Sequence, residues 1–366
     1  MKVKTMYNPC RIYFADNALQ RARGFVSGFG TKAFIVTGKG SALRSGALDE
    51  LLAVLREEQL GYHIFNKVKE NPDMDLVMSG AAEFAVFDCN FIIAIGGGSP
   101  IDAAKAISLA VANKLDKANL FNTQSFRTAV PVIAIPTTSG TGSEVTPYSV
   151  LTDQSSKKKA GFGSELAFPK LAVLEPRYTL SMSRSVTLHT GIDALSHLLE
   201  GIYSNKRSSL LYPLIFDGIK TIYEYLPLVL AEPDNLAARN QMMKASLYGG
   251  LTIAHTSTTL QHSIGYPLTG VYDVPHGLAN GVVMKSIMDL YYPAVAEVLE
   301  ELFSFMEITR TKFYEWLEAL ELSMNFKLPS SFIEERLPEV LSSRNMANNP
   351  YDIDAEDIKS ILMGLE

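Results

Sequence analysis

A chain of 366 residues with 47% hydrophobic and 20% charged side chains is long enough for two domains with sizeable cores, and its composition is not that of a disordered chain. The formal net charge of -6 disfavours nucleic acid as a general partner. No apolar run reaches the length of a membrane span, and Cys10 and Cys89 are too few and too far apart for a disulfide framework or a thiolate zinc site. The start, Met1-Lys2-Val3-Lys4 followed by Tyr7, Asn8 and Pro9, is not a signal core, so the expected compartment is the cytoplasm.

In chain order, Ala33–Thr37 is a buried-strand run ending at Gly38, Ser45–Gln59 has helical spacing, and Tyr62–Phe65 is a short strand. Leu76–Phe87 is helical, and Phe91–Ile95 is a strand closed by Gly96-Gly97-Gly98. Ile101–Val111 is helical, and Val130–Ile135 is a strand closed by Pro136. Tyr148–Asp153 and Leu171–Leu174 read as further strands, with Lys157, Lys158 and Lys159 in a turn between them. Strands alternating with helices predict a mainly parallel, Rossmann-like α/β domain whose ligands sit at the carboxyl ends of the strands. After Ser181 the pattern becomes helical, over Val186–Tyr203, Leu210–Leu230, Asn235–Ile253 and His276–Tyr291. The expected organisation is a nucleotide-binding α/β domain over 1–181 and an all-helical domain over 182–366, with a cleft between them.

Two glycine-containing turns follow strands. Gly96-Gly97-Gly98-Ser99-Pro100 leads into a helix, where glycine lets a phosphate approach the backbone and the helix N-terminus favours its charge. Pro136–Glu144 carries hydroxyls and glycines suited to a ribose or pyrophosphate, and it reads equally well as a Ser/Thr-rich capping turn. Neither run matches GxGxxG or the Walker A pattern.

Five of the six histidines, His189, His197, His255, His262 and His276, lie in the helical half. Asp193 and His197 are four residues apart, on one face of a helix, which suits two metal ligands, although a helix-stabilising pair is by itself the commoner case. The apolar neighbours Ile192, Leu195, Leu198 and Leu199 imply burial, and a buried carboxylate needs a charged partner or a metal. With His262 and His276 the candidates form a set of one carboxylate and three imidazoles, suited to Fe²⁺ or Zn²⁺ rather than Mg²⁺ or Ca²⁺.

These two loops, the Asp193/His197 pair, the His262/His276 pair and the Arg344–Pro350 ending occur in the order of the iron-containing (group III) alcohol dehydrogenases, which the chain resembles over nearly its whole length. The resemblance implies a homodimeric NAD(P)-dependent enzyme in which Asp193, His197, His262 and His276 bind one catalytic metal. Gly97, Gly98 and Ser99 would bind the cofactor pyrophosphate. Thr137, Thr138 and Ser143 would lie near the adenosine and phosphates, with Asn71, Asp102, Thr179, Leu180 and a lysine of the 157–159 run, taken as Lys158, as further cofactor contacts. Many NAD-using members carry an acidic residue where this chain has Gly38, followed by Lys39, Gly40 and Ser41. Without that carboxylate a 2′-phosphate meets no repulsion and gains Lys39 and Ser41, so NADP(H) is the expected preference. Tyr266 stands where many members have a histidine on the proton path, and either shares in proton transfer or only lines the pocket. Leu251, Thr258 and Val271 are the expected pocket walls, for a small primary alcohol or diol and the matching aldehyde. A zinc-dependent glycerol dehydrogenase is the alternative within the fold. A sugar-phosphate cyclase lacks its basic cluster here, and a non-catalytic nucleotide-binding protein would have little reason to keep the full ligand set.

Overall fold

The computed structural model describes residues 5–153 and 158–365. Eight strands occur in chain order: β1 (Arg11–Phe14), β2 (Lys32–Gly38), β3 (Gly61–Val68), β4 (Phe91–Gly96), β5 (Val132–Pro136), β6 (Tyr148–Asp153), β7 (Lys158–Gly163) and β8 (Leu171–Leu174). Interleaved with them are α1 (Ala18–Val26), α2 (Ser41–Arg44), α3 (Ala47–Glu57), α4 (Met74–Val86) and α5 (Gly98–Asn113). The second half is helical: α6 (Arg184–Tyr203), α7 (Tyr212–Ala231), α8 (Leu236–Thr256), α9 (Leu260–Tyr272), α10 (His276–Gly281), α11 (Met284–Met306), α12 (Arg310–Glu318), α13 (Ser330–Leu341) and α14 (Ala355–Met363). Two compact units result, an α/β unit of Asn8–Ser183 with Glu232–Met243, and a helical unit of Arg184–Ala231 and Lys244–Glu366 with Met1–Tyr7.

The α/β unit holds a six-stranded parallel sheet in the order β1-β8-β5-β4-β2-β3. Strand alternation sends Ala33, Ile35, Phe91, Ile93, Ile95, Ile133 and Ile135 to the face covered by α1 and α3. Phe34, Val36, Ile92, Ala94, Val132 and Ala134 go to the face covered by α4 and α5. Both faces are dry, which is why these strands read as continuous apolar runs rather than alternating ones. From β2 the chain runs to β3 on one side and returns to β4 on the other, so the carboxyl ends of β2 and β4 flank the topological switch point.

Several local expectations are revised. Strand β1 was not legible: its four residues pair only with β8. The helix expected over Ser45–Gln59 is α3, starting at Ala47 after Gly46, whose φ of 78° separates it from the short α2 that the sequence pattern did not show. The His276–Tyr291 run is two helices, α10 ending at Gly281 and α11 starting at Met284. The lysine run is not a turn over its described part. Lys158 and Lys159 begin β7, paired antiparallel with Asp153 and Thr152 of β6, and hairpin pairing overrides lysine's weak strand preference. Lys157 and the Lys158 side chain lie outside the described residues.

Candidate active site

Helix α6 is buried at every residue from Gly191 to Tyr203. Its face at i, i+4 and i+7 presents Asp193, His197 and Glu200. Helix α9 contributes His262, and α10 contributes His276 as its first residue. The three imidazole Nε2 atoms lie 3.9 Å (His197), 3.9 Å (His262) and 3.8 Å (His276) from Asp193 Oδ1. Two atoms each about 2.1 Å from one ion can be at most about 4.2 Å apart, so these separations fit a shared metal. Asp193, His262 and His276 offer ligand atoms all within 4.8 Å of one another, the one such His/Cys/Asp/Glu group among the described residues. Asp193, His197 and His262 are 3%, 4% and 2% exposed, whereas the His276 side chain is 26% exposed and marks the open side.

Burial pushes the Asp193 carboxyl up, but His197, His276, His262 and the Asn280 amide outweigh it, and its pKa falls below the ordinary value. An ionised carboxylate and the imidazoles of His262 and His276 therefore face one point, while His197 stands beside Asp193 and outside that group of three. The amide Nδ2 of Asn280 lies 3.1 Å from Asp193 Oδ1, 3.2 Å from His262 Nε2 and 3.4 Å from His276 Nε2. An amide nitrogen can only donate, so the atoms facing it are acceptors, as metal ligands must be. Asn280 Oδ1 is buried without a hydrogen-bond partner. The donor set fits a divalent transition metal. The ring of Tyr266 stacks on that of His276, centroids 5.8 Å apart and 9° from parallel, and meets His262 edge-on at 6.2 Å.

Two residues of this centre escaped the sequence reading. Glu200 receives His262 Nδ1, and Asn280 spans the ligand atoms. Helical spacing was the available signal: Glu200 is three residues after His197, and Asn280 four after His276.

The cofactor candidates gather at strand carboxyl ends in the α/β unit. Gly38 ends β2, with Lys39 exposed beyond it and Ser41 opening α2. Gly97 is the N-cap of α5, and Gly98 and Ser99 form its first turn, earlier than the sequence pattern placed the helix start. The second loop packs directly on the first. A Cβ on Gly97 would stand 3.3 Å from Thr138 Oγ1, and one on Gly98 2.8 Å from Thr141 Cγ2. The buried hydroxyls of Thr137 and Ser139 have no hydrogen-bond partner and remain available to a ligand. Asp102 and Ser143 bond each other at 2.5 Å, Asp102 Oδ2 also accepts from Val150 N–H, and Lys105 Nζ donates to Ser143 Oγ at 2.7 Å, so this trio braces the loop from beneath. Asn71, left-handed at φ 53°, lies after β3, and its Oδ1 accepts from Lys159 Nζ at 2.8 Å. Asn71 also lines a cavity of about 350 Å³ together with Lys67, Lys69 and Glu70. Thr179 closes a 3₁₀ turn after β8 and is fully buried, its hydroxyl donating to Pro176 O, and Leu180 follows half-buried. Of the expected pocket walls, Thr258 is buried, and Leu251 and Val271 are partly buried.

The family model described as "Iron-containing alcohol dehydrogenase" matches residues 9–176, and "Fe-containing alcohol dehydrogenase family, C-terminal" matches 187–364. The chain belongs to the iron-containing alcohol dehydrogenase family. It is an oxidoreductase of that family, and the α/β-plus-helical architecture expected from the sequence is the one observed. It is 36% identical to a crystal structure of an iron-containing alcohol dehydrogenase from Thermotoga maritima, with a TM-score of 0.92 and 98% of each chain covered. It is 33% identical to the NAD-dependent methanol dehydrogenase of Bacillus methanolicus, covering 89% of this chain and 90% of that one. It is 28% identical to the NADPH-dependent butanol dehydrogenase of Clostridium saccharobutylicum, covering 96% and 95%. No helix among the described residues is long and apolar enough to cross a membrane.

Proposed function

We propose that the chain interconverts a small primary alcohol or diol and its aldehyde, with one divalent iron held by Asp193, His197, His262 and His276 and with NADP(H) as the favoured cofactor. The observation that carries this reading is the convergence of three imidazole Nε2 atoms on Asp193 Oδ1 at 3.8–3.9 Å. A metal held there supplies Lewis acidity toward the alcohol or carbonyl oxygen, and a nicotinamide supplies the hydride acceptor or donor. Asp193 contributes the charge that retains a cation in a buried site, and the half-exposed His276 leaves the side from which substrate enters. Tyr266 lies flat on His276 and walls the substrate position. The backbone N–H groups of Gly98 and Ser99 at the start of α5 receive the pyrophosphate, and the Thr137 and Ser139 hydroxyls supply hydrogen bonds beside it.

The cofactor preference follows from charge. No carboxylate stands at Gly38, and the parallel register pairs Gly38 with Val68, so Lys39 and Lys69 leave neighbouring strand ends in succession. Two cations there favour a 2′-phosphate. The relatives named for methanol and butanol support a primary-alcohol substrate. The test is kcat/KM for NADP⁺ and NAD⁺ over a panel of primary alcohols and diols after loading with Fe²⁺ or Zn²⁺. A strong NAD⁺ preference rejects the cofactor assignment, and inactivity across the panel rejects the substrate assignment.

A further inference from the structure

The carboxylate of Glu200 is fully buried and receives four donors from the start of α9. The Thr259 N–H and hydroxyl donate to Oε1 at 2.7 and 2.8 Å, the His262 N–H reaches it at 3.4 Å, and His262 Nδ1 meets Oε2. Thr259, the N-cap of α9, makes no side-chain cap of its own, so a carboxylate from α6 serves the helix terminus instead. Three hydrogen-bond donors on Oε1 mark an acceptor environment, which leaves the proton of the Oε2 contact on His262 Nδ1. From the other side of the ring, the amide Nδ2 of Asn280 lies 3.2 Å from His262 Nε2 and can only donate, so Nε2 carries the lone pair. The two contacts agree on one tautomer, with its lone pair on Nε2, 3.9 Å from Asp193 Oδ1.

We propose that Glu200 is a positioning residue for the metal centre: by holding His262 as the Nδ1–H tautomer with Nε2 turned inward, it sets how tightly the centre keeps its metal. The proposal rests on the metal-centre reading above. A histidine ligand whose second nitrogen donates to a carboxylate is both oriented and made more basic, and losing such a partner typically weakens metal binding about 10–100-fold. Glu200 differs from a plain helix cap because one of its oxygens serves the backbone of α9 and the other serves the ligand ring. Thr259→Ala separates the two roles, since it removes a donor to Oε1 and leaves the His262 contact in place.

The test is chelator-competition titration of Zn²⁺ and Fe²⁺ on wild type, Glu200→Gln, Glu200→Asp and Thr259→Ala, with the visible spectrum of each Co²⁺-loaded protein as a second readout. Glu200→Gln is expected to bind metal about 10–100-fold more weakly with an altered Co²⁺ spectrum. Glu200→Asp should recover part of the loss, and Thr259→Ala should bind within about threefold of wild type while melting earlier. Wild-type affinity and spectrum in Glu200→Gln overturn the proposal, and so does an equal loss in Thr259→Ala, which would make Glu200 a cap alone. Should Glu200→Gln not fold, ring-nitrogen NMR of metal-free wild type decides: a neutral His262 with its proton on Nδ1 and none on Nε2 supports the proposal, and the Nε2–H tautomer overturns it. Failure of the wild type to bind any of these metals sinks the metal-centre reading and this proposal together, whereas tight wild-type binding unaffected by Glu200→Gln sinks this proposal alone.

Discussion

Replacing Gly277 by alanine puts a methyl carbon 1.8 Å from the backbone oxygen of His189 and 2.6 Å from its carbonyl carbon. Real Cβ atoms essentially never approach closer than 3.0 Å, so α10 and α6 must separate by at least 1.2 Å, the difference of the two distances. The obstacle is helix backbone, which cannot swing aside as a side-chain tip can. Gly277 follows His276 directly, and His189 lies one helical turn before Asp193, so the displacement falls on two proposed ligands. Ligand distances tolerate only about 0.2 Å. Alanine's better helix propensity offers up to about 1 kcal/mol in compensation, against about 1–3 kcal/mol for overpacking of this kind. Because metal binding requires the closed arrangement, the residual strain, up to about 2 kcal/mol after that compensation, is charged to binding, and at 1.4 kcal/mol per tenfold the affinity should fall by up to about 30-fold. Chelator competition measures that fall, and thermal unfolding of the metal-free protein measures the remainder. Gly24→Ala is the control: it lies inside α1 with nothing within 4 Å of the added carbon, and should stabilise by about 0.5–1 kcal/mol. A Gly277→Ala protein with wild-type melting and wild-type metal affinity would refute the reasoning.

His276→Ala should lose bound metal and turnover together, read by elemental analysis of the purified protein beside its kcat; full turnover with retained metal would remove His276 from the centre. Gly38→Asp should shift kcat/KM toward NAD⁺ by about tenfold or more through repulsion of the 2′-phosphate. A Cβ at Gly38 stands 3.2 Å from the Val68 carbonyl oxygen, so the ends of β2 and β3 must give by a few tenths of an ångström, and thermal unfolding of the variant reads that cost apart from the cofactor ratio. Tyr266→Phe should leave kcat within a few-fold of wild type if the ring acts as a wall on His276, whereas a fall of about 100-fold with loss of a pH limb would make the hydroxyl a proton carrier. Burial raises the Glu144 carboxyl to about 7 from its ordinary 4.5. Between those values the native state holds a proton that the unfolded chain has released, so stability falls as pH rises through the window. Denaturant titrations from pH 4 to 8 should show that fall, worth at most about 3 kcal/mol, and Glu144→Gln should flatten it. A slope unchanged in Glu144→Gln would assign the effect elsewhere.

Strands β2, β4 and β5 were legible because a sheet covered on both faces imposes continuous apolar runs, whereas β1 was not, because Arg11–Phe14 becomes a strand only through pairing with Leu171–Leu174, far along the chain. Asp193 and His197 were legible by helical arithmetic. The same arithmetic reaches Glu200, but its meaning depends on His262, 62 residues away, and no single-helix pattern carries that. Lys105 reads as an ordinary solvated lysine, yet it is fully buried, because Ser143, Thr146 and the Tyr148 carbonyl surround its ammonium and Asp102 lies 3.7 Å off. Burial lowers its pKa to about 8, so a charge the sequence would place in solvent instead supports the loop that carries Thr137 and Ser139. Gly277 shows the limit most directly. In the sequence it is only a glycine after a histidine, and the reason nothing larger fits there is a backbone oxygen on another helix. Residue chemistry at helical spacing can thus be read one helix at a time, whereas the contacts that hold Asp193, His262 and His276 in register belong to pairs of helices.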